Sequence, residues 1–145
     1  MRLIIAGSRT ITEQNIVNEV MDDFIYSYPV TALNVREVVS GGANGVDKCG
    51  EKWAENNGIP VEKFPAMWET EGRGAGHIRN ARMAEYVTSW GGCVAIMENG
   101  GSKGTESMIK IARKLGVFTV VYEVRRQRSG YTITDITDLN NPRVL

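Results

Sequence analysis

Four short segments carry residue types that could hold an anion, and each stands next to a helix-like stretch. The first is Gly7-Ser8-Arg9-Thr10. Its glycine permits close backbone approach, the Ser8 hydroxyl can donate to a phosphate oxygen, and the Arg9 guanidinium can fork onto one. An ordinary turn with a solvated arginine is the plainer alternative. The second, Ser40-Gly41-Gly42-Ala43-Asn44-Gly45-Val46-Asp47, sets three glycines within five positions. Paired glycines let successive amides point inward as an anion nest, and a helix N-terminus behind them adds about half a positive charge. Asp47 would repel a phosphate there, so its expected part is to cap the helix or bond a ribose or base. The third is Gly100-Gly101-Ser102-Lys103-Gly104-Thr105-Glu106, again after a strand-like run. It lacks the wider glycine spacing and Gly-Lys-Ser/Thr ending of a P-loop. Its amides and the Ser102 and Thr105 hydroxyls could still cradle phosphate, with Lys103 either assisting or merely solvated. The fourth is Arg79-Asn80, following Gly72, Gly74 and Gly76, with Trp68 upstream. Arg79 could neutralise an anion; Trp68 could stack on a base or plug the domain edge.

Other chemistries are excluded by what the chain lacks. His77 is the only histidine, so neither a histidine metal cluster nor a Ser-His-Asp triad can be assembled, and no metal is expected. Cys49 and Cys93 stand alone, which fits a reducing cytoplasm better than a disulfide framework. The 17 basic and 17 acidic side chains cancel, leaving no long-range field to draw the molecule to DNA or an anionic membrane. No segment approaches the roughly 18 apolar residues of a membrane span, and nothing reads as an export signal.

Short apolar runs alternate with amphipathic stretches, and these must position the four segments. Leu3-Ile4-Ile5-Ala6 reads as a strand buried on both faces. Thr10 and Glu13 suggest a capping box ahead of a helix striped by Ile16, Val17, Val20, Met21, Phe24, Ile25 and Tyr28. Further strands are expected over 35–40, 59–64, 93–97 and 117–122. Between them run helices marked by Val46, Cys49, Trp53 and Ala54, by Asn80, Met83, Ala84 and Val87, and by Met108, Ile111, Ala112 and Leu115. Alternation of this kind predicts a doubly wound, mainly parallel Rossmann-like sheet of about five strands, α/β in class, flanked by helices. At 145 residues one domain is expected, with a core over 2–122 and a C-terminal extension over 123–145. In that extension Arg125, Arg126 and Arg128 read as a polar turn, and Tyr131-Thr132-Ile133-Thr134 as an edge strand or a dimer contact.

Taken in order, Gly-Ser-Arg, Ser-Gly-Gly-Ala-x-Gly-Val-Asp, Arg-Asn and Gly-Gly-Ser-x-Gly-Thr resemble the SLOG superfamily, which joins the Smf/DprA proteins with the Lonely Guy phosphoribohydrolases. The similarity is strongest to its YspA-like branch and spans residues 2–122. It implies a Rossmann-like fold, homodimers or higher homo-oligomers, and binding or processing of nucleotides and nucleotide-derived signals. Lonely Guy enzymes use an arginine from an Arg-Lys pair and a glutamate three residues after Gly-Thr. Arg79 matches that arginine, Asn80 replaces the lysine, and Met108 stands at the glutamate position. Glu106 lies two positions away, about 200° around a helix, and cannot simply substitute. Smf/DprA proteins share the Arg-Asn and glycine patterns and bind single-stranded DNA. The absence of a basic excess argues against that partner here.

The leading expectation is a small-molecule, nucleotide-derived ligand, bound rather than used as a required cofactor. The binding set is Gly7, Ser8, Arg9, Ser40, Gly41, Gly42, Ala43, Gly45, Asp47, Trp68, Arg79, Asn80, Gly101, Ser102, Gly104 and Thr105. The alternatives are N-glycosidic hydrolysis, with Arg79, Glu106 and Asp47 as candidate catalytic groups, and a single-stranded DNA module. No membrane partner is expected.

Overall fold

The computed structural model describes residues 1–28, 35–88 and 90–140. In chain order its elements are β1 (Arg2–Gly7), α1 (Gln14–Ser27), β2 (Glu37–Ser40), α2 (Val46–Asn56), β3 (Val61–Lys63) and α3 (Trp68–Glu71). A 3-10 turn (Gly72–Gly74) leads into α4 (Ala75–Val87), β4 (Gly92–Glu98), α5 (Lys103–Lys114), β5 (Phe118–Gln127) and β6 (Gly130–Asp138). The strands form one sheet in the order β3-β2-β1-β4-β5-β6. Strands β1 to β5 are parallel, and β6 pairs antiparallel with β5.

Strand β1 shows why the sheet is covered on both sides. Successive side chains of a strand point to opposite faces. Leu3 and Ile5 accordingly enter the cluster built with Val17, Val20 and Phe24 of α1 and Trp53 of α2. Ile4 and Ala6 enter the cluster built with Met83, Ala84 and Val87 of α4 and Met108 and Ala112 of α5. The first two crossovers thus cover one face and the last two the other. The chain reverses its winding direction between the adjacent strands β1 and β4, which leaves a crevice at their carboxyl ends.

Several local expectations are corrected. Thr10 and Glu13 form no capping box: α1 begins at Gln14 with no side-chain cap at Glu13, and the Thr10 hydroxyl donates to the Glu98 carboxylate. Ile11, fully buried, draws the chain inward before the helix starts. Ile25 and Leu115 fall outside the core, one at the edge of its stripe and the other at the C-cap of α5. Arg125 and Arg126 do not sit in a turn; they pair with Thr132 and Tyr131 across the β5/β6 hairpin, and the reversal comes at Arg128 and Ser129. An outer hairpin tip exposes its side chains, so charge there is compatible with strand. The end of the expected extension, 141–145, lies outside the described residues.

Gly7 marks the tightest point between β1 and its surroundings. A Cβ there would overlap the Ile96 carbonyl oxygen and stand 2.7 Å from Val46 Cγ2. Gly7→Ala is therefore expected to lower unfolding free energy by about 3 kcal/mol, the upper range for overpacking. Urea denaturation monitored by circular dichroism checks this.

Candidate functional site

Three strand-to-helix loops open onto the carboxyl edge of the sheet, and their local bonding differs. After β1, the buried Ser8 ties two strands together: its N–H donates to Ile96 O at 3.0 Å, and its Oγ accepts from Glu98 N–H at 3.2 Å. Arg9 and Thr10 follow it and are exposed.

The loop after β2 is closed on itself. Gly42 N–H donates to Ser40 Oγ at 3.1 Å, Ala43 N–H donates to Asp47 Oδ2 at 3.1 Å, and Ser40 Oγ donates to Glu51 at 2.6 Å. Two amides of the expected anion nest are thus already paired, and Asp47 braces the loop instead of capping α2, whose N-cap is Gly45. Gly45 has φ +83°, and a Cβ there would stand 2.6 Å from the Arg9 carbonyl carbon, so the β1 and β2 loops touch through it.

The loop after β4 is the reverse case. Gly101 N–H donates to Glu98 O at 3.1 Å, and Thr105 Oγ1 donates to Ser102 Oγ at 3.1 Å. Beyond them α5 begins at Lys103 with no side-chain cap from Ser102. The N–H groups of Lys103, Gly104 and Thr105 open a helix and have no intrahelical acceptor, so the positive end of α5 is free to face an anion.

Arg79 and Asn80, in the first half of α4, connect the last two loops. Arg79 Nη1 donates to Gly41 O at 2.6 Å, and its Nε donates to Asn80 Oδ1 at 2.9 Å. Asn80 Nδ2 in turn donates to Gly104 O at 3.3 Å. A Cβ on Gly41 would overlap the guanidinium and lie 2.9 Å from Asp47 Oδ2, so only glycine lets this arginine and this carboxylate close around the strand end. Two of the five guanidinium donors are used in this way. Nη2 has no hydrogen-bond partner among the described residues, and no partnerless side-chain nitrogen is fully buried among them, so Nη2 keeps some access to the space around it.

That space is a cavity of about 420 Å³ at the β1/β4 crevice, which brings the separate segments together: Gly7, Ser8 and Arg9; Ala43 and Asp47; Arg79 and Asn80; Gly101, Ser102, Gly104 and Thr105. A second cavity of about 530 Å³ adjoins it, shares Arg9, Ala43 and Arg79 with it, and takes in Gly41, Gly42 and Trp68. Trp68 is 52% exposed and plugs nothing. Ser40 and Gly45 shape the loops without lining either cavity. Glu106 also lies outside both, folded back beside Gly101, whereas Met108 forms part of the first cavity's wall. Lys103 is exposed and off the cavities, and His77 lies elsewhere on the surface with Nδ1 3.1 Å from Ser107 Oγ.

Glu98 was missed by the sequence reading. It ends β4 at the crevice, lines the first cavity, and is held by Thr10 Oγ1 and by Arg126 Nε at 3.4 Å. The signal was present, since Glu98 directly follows the apolar run of β4, the position where open parallel sheets place ligand contacts. Lys48 and Lys63, which line the second cavity, were missed as well, and nothing in their local sequence distinguishes them from surface lysines. Among the described residues no group of three His, Cys, Asp or Glu side chains could hold a metal ion, and no helix is long and apolar enough to cross a membrane.

The family described as YspA, cpYpsA-related SLOG matches residues 1–70. The chain is also 31% identical over 121 residues to the Gene 61 protein of Mycobacterium phage D29, an alignment covering 80% of this chain and 91% of that one.

Burial pushes the Asp47 carboxyl up to about 6, even though the Ala43 N–H and the Arg79 and Arg9 charges favour its ionised form. Burial likewise lowers Arg79, against the pull of Asp47. Below about pH 4 Asp47 is protonated in folded and unfolded chains alike. As pH rises from about 4 to 6 the folded chain keeps a proton that the unfolded chain has released, so stability falls across that window, by about 3 kcal/mol in all. Asp47→Asn removes this dependence. Its stability relative to the wild type is expected to be about 2 kcal/mol higher at pH 7.5 than at pH 4.5. Urea midpoints at the two pH values measure it, and a difference that does not change with pH would refute it.

Proposed function

This chain belongs to the YspA, cpYpsA-related SLOG family, and on that premise we propose that it binds a nucleotide or nucleotide-derived ligand in the crevice between β1 and β4. The observation that carries the reading is the convergence of three crossover loops and a buried, incompletely paired Arg79 on one cavity. In it the phosphate lies at the start of α5, where the Gly104 and Thr105 amides and the Ser102 hydroxyl donate. Arg9 and the free edge of Arg79 neutralise it. Glu98 and Asp47 repel phosphate, so they face the sugar hydroxyls or base N–H groups of the remainder.

N-glycosidic hydrolysis is a second reading, favoured by one feature. Asp47, with its carboxyl raised to about 6, lines the cavity and could deliver a proton to a departing base. Glu106 has no such access. Free adenine released from AMP by the wild type and lost in Asp47→Asn supports hydrolysis; intact AMP after prolonged incubation rules it out for that substrate.

Binding itself is tested by thermal and chemical denaturation with AMP. At 100 times its dissociation constant a ligand of the folded state stabilises by about 2.7 kcal/mol. Arg9→Ala, at an exposed position, is expected to leave the unliganded stability unchanged and to weaken AMP binding about tenfold, the loss of one charge-assisted contact. AMP binding unaffected by this change would remove Arg9 from the site.

A further inference from the structure

We propose that the ligand extends beyond one nucleotide: a nucleoside in the first cavity is joined by a phosphate bridge over Arg9 and Arg79 to a second ring-bearing half that stacks on Trp68. The inference rests on the nucleotide reading of the first cavity and adds the class of molecule that fits both.

The two cavities adjoin, and Arg9, Ala43 and Arg79 line both. At about 420 and 530 Å³ each lies in the ordinary range of a small-molecule pocket, about 300–1,000 Å³, so a mononucleotide in one has no need of the other. Their charges differ in a way that sorts a ligand's parts. The first is lined by two arginines and two carboxylates, Asp47 and Glu98. The second is lined by Arg9, Lys48, Lys63 and Arg79 with no carboxylate. Negative charge is therefore favoured from the arginines at the junction outward, and within the first cavity it is opposed beside Asp47 and Glu98.

The lysines are held in place from outside. Glu51, which does not line the second cavity, lies 3.5 Å from Lys63 Nζ and 4.0 Å from Lys48 Nζ, and is itself fixed by the Ser40 hydroxyl at 2.6 Å. One carboxylate shared by two ammonium groups leaves cationic excess facing the cavity. Beside them stands the half-exposed Trp68, whose indole edge packs over Gly76, where a Cβ would come within 3.5 Å of the ring. An exposed, backed indole in a cavity lined by four cations and no carboxylate is a stacking platform for a base or other flat ring attached to phosphate. The same elements could serve one stretch of nucleic-acid strand. The zero net charge of the chain favours the compact ligand.

Calorimetry with AMP, diadenosine diphosphate and oligothymidylate tests this on the wild type, Trp68→Ala and Lys63→Gln, with folding of each verified by circular dichroism. Trp68 and Lys63 are both exposed. The expected result is one diadenosine diphosphate per chain, bound at least tenfold tighter than AMP. Either variant should bring it toward the AMP affinity while leaving AMP within about twofold, in line with the effect of losing one stacked base. Equal affinity for AMP and the dinucleotide in all three proteins would overturn the proposal while the first-cavity reading stands. Loss of AMP binding in Trp68→Ala would also overturn it, since the nucleoside would then lie on Trp68. Tighter, steeply salt-dependent binding of oligothymidylate would overturn it in favour of a strand. Binding of none of the three would sink the nucleotide reading, and this proposal with it.

Discussion

Placing a guanidinium and a carboxylate around a glycine at the end of a buried strand takes two charges out of water, and much of the crevice is arranged by the need to compensate them. Arg79 and Asp47 are both buried, and each is answered by backbone: Arg79 by the Gly41 carbonyl, Asp47 by the Ala43 amide. The two charges attract across Gly41 without an ion-pair contact, and because burial opposes both charged forms the attraction adds little net stability. Its effect is geometric. Because Asn80 continues the contact from Arg79 to Gly104 O, α4 holds the loops after β2 and β4 in fixed relation, although they lie more than 60 residues apart.

With that frame in place, the two glycine-rich loops divide their tasks. The β2 loop spends its Gly42 and Ala43 amides on Ser40 and Asp47, so it is a rigid wall before any ligand arrives. The β4 loop leaves the first amides of α5 without intrahelical acceptors and supplies two hydroxyls that bond each other. Rigid walls with unsatisfied donors reduce the ordering that a ligand must impose on its site. Under the proposed function, the anion therefore meets α5, while in the β2 loop Gly41 admits Arg79 and Gly45 lets the β1 loop approach.

The β5/β6 hairpin contributes from the far side. Arg126 reaches both Glu98 and the Thr10 carbonyl, and the Tyr131 hydroxyl bonds the same carbonyl. Glu98 is thereby fixed between the β1 loop and the hairpin, with its charge partly offset. The C-terminal segment is thus tied to the crevice rather than appended to the sheet's edge.

Strand and helix order, the two-sided burial of β1, and the glycine turns were legible in the sequence, because hydrophobic period and glycine spacing are local properties that a single pass along the chain exposes. So were Arg9, Arg79, Asn80, Ser102 and Thr105 as candidates, since residues just beyond strands and at helix starts gather at one edge of any parallel sheet. The sequence could not say which amides would remain unpaired. That depends on Ser40 and Asp47 reaching the neighbouring loop, a matter of side-chain placement within fractions of an ångström. Nor could it recruit Glu98 to Arg126, or Lys48 to the cavity of Trp68, because those neighbours come from different parts of the chain and meet only once the sheet has ordered its strands. Pattern along the chain sets the elements; the pairing of buried polar groups, a many-body problem solved in three dimensions, decides what each loop has left to offer a ligand.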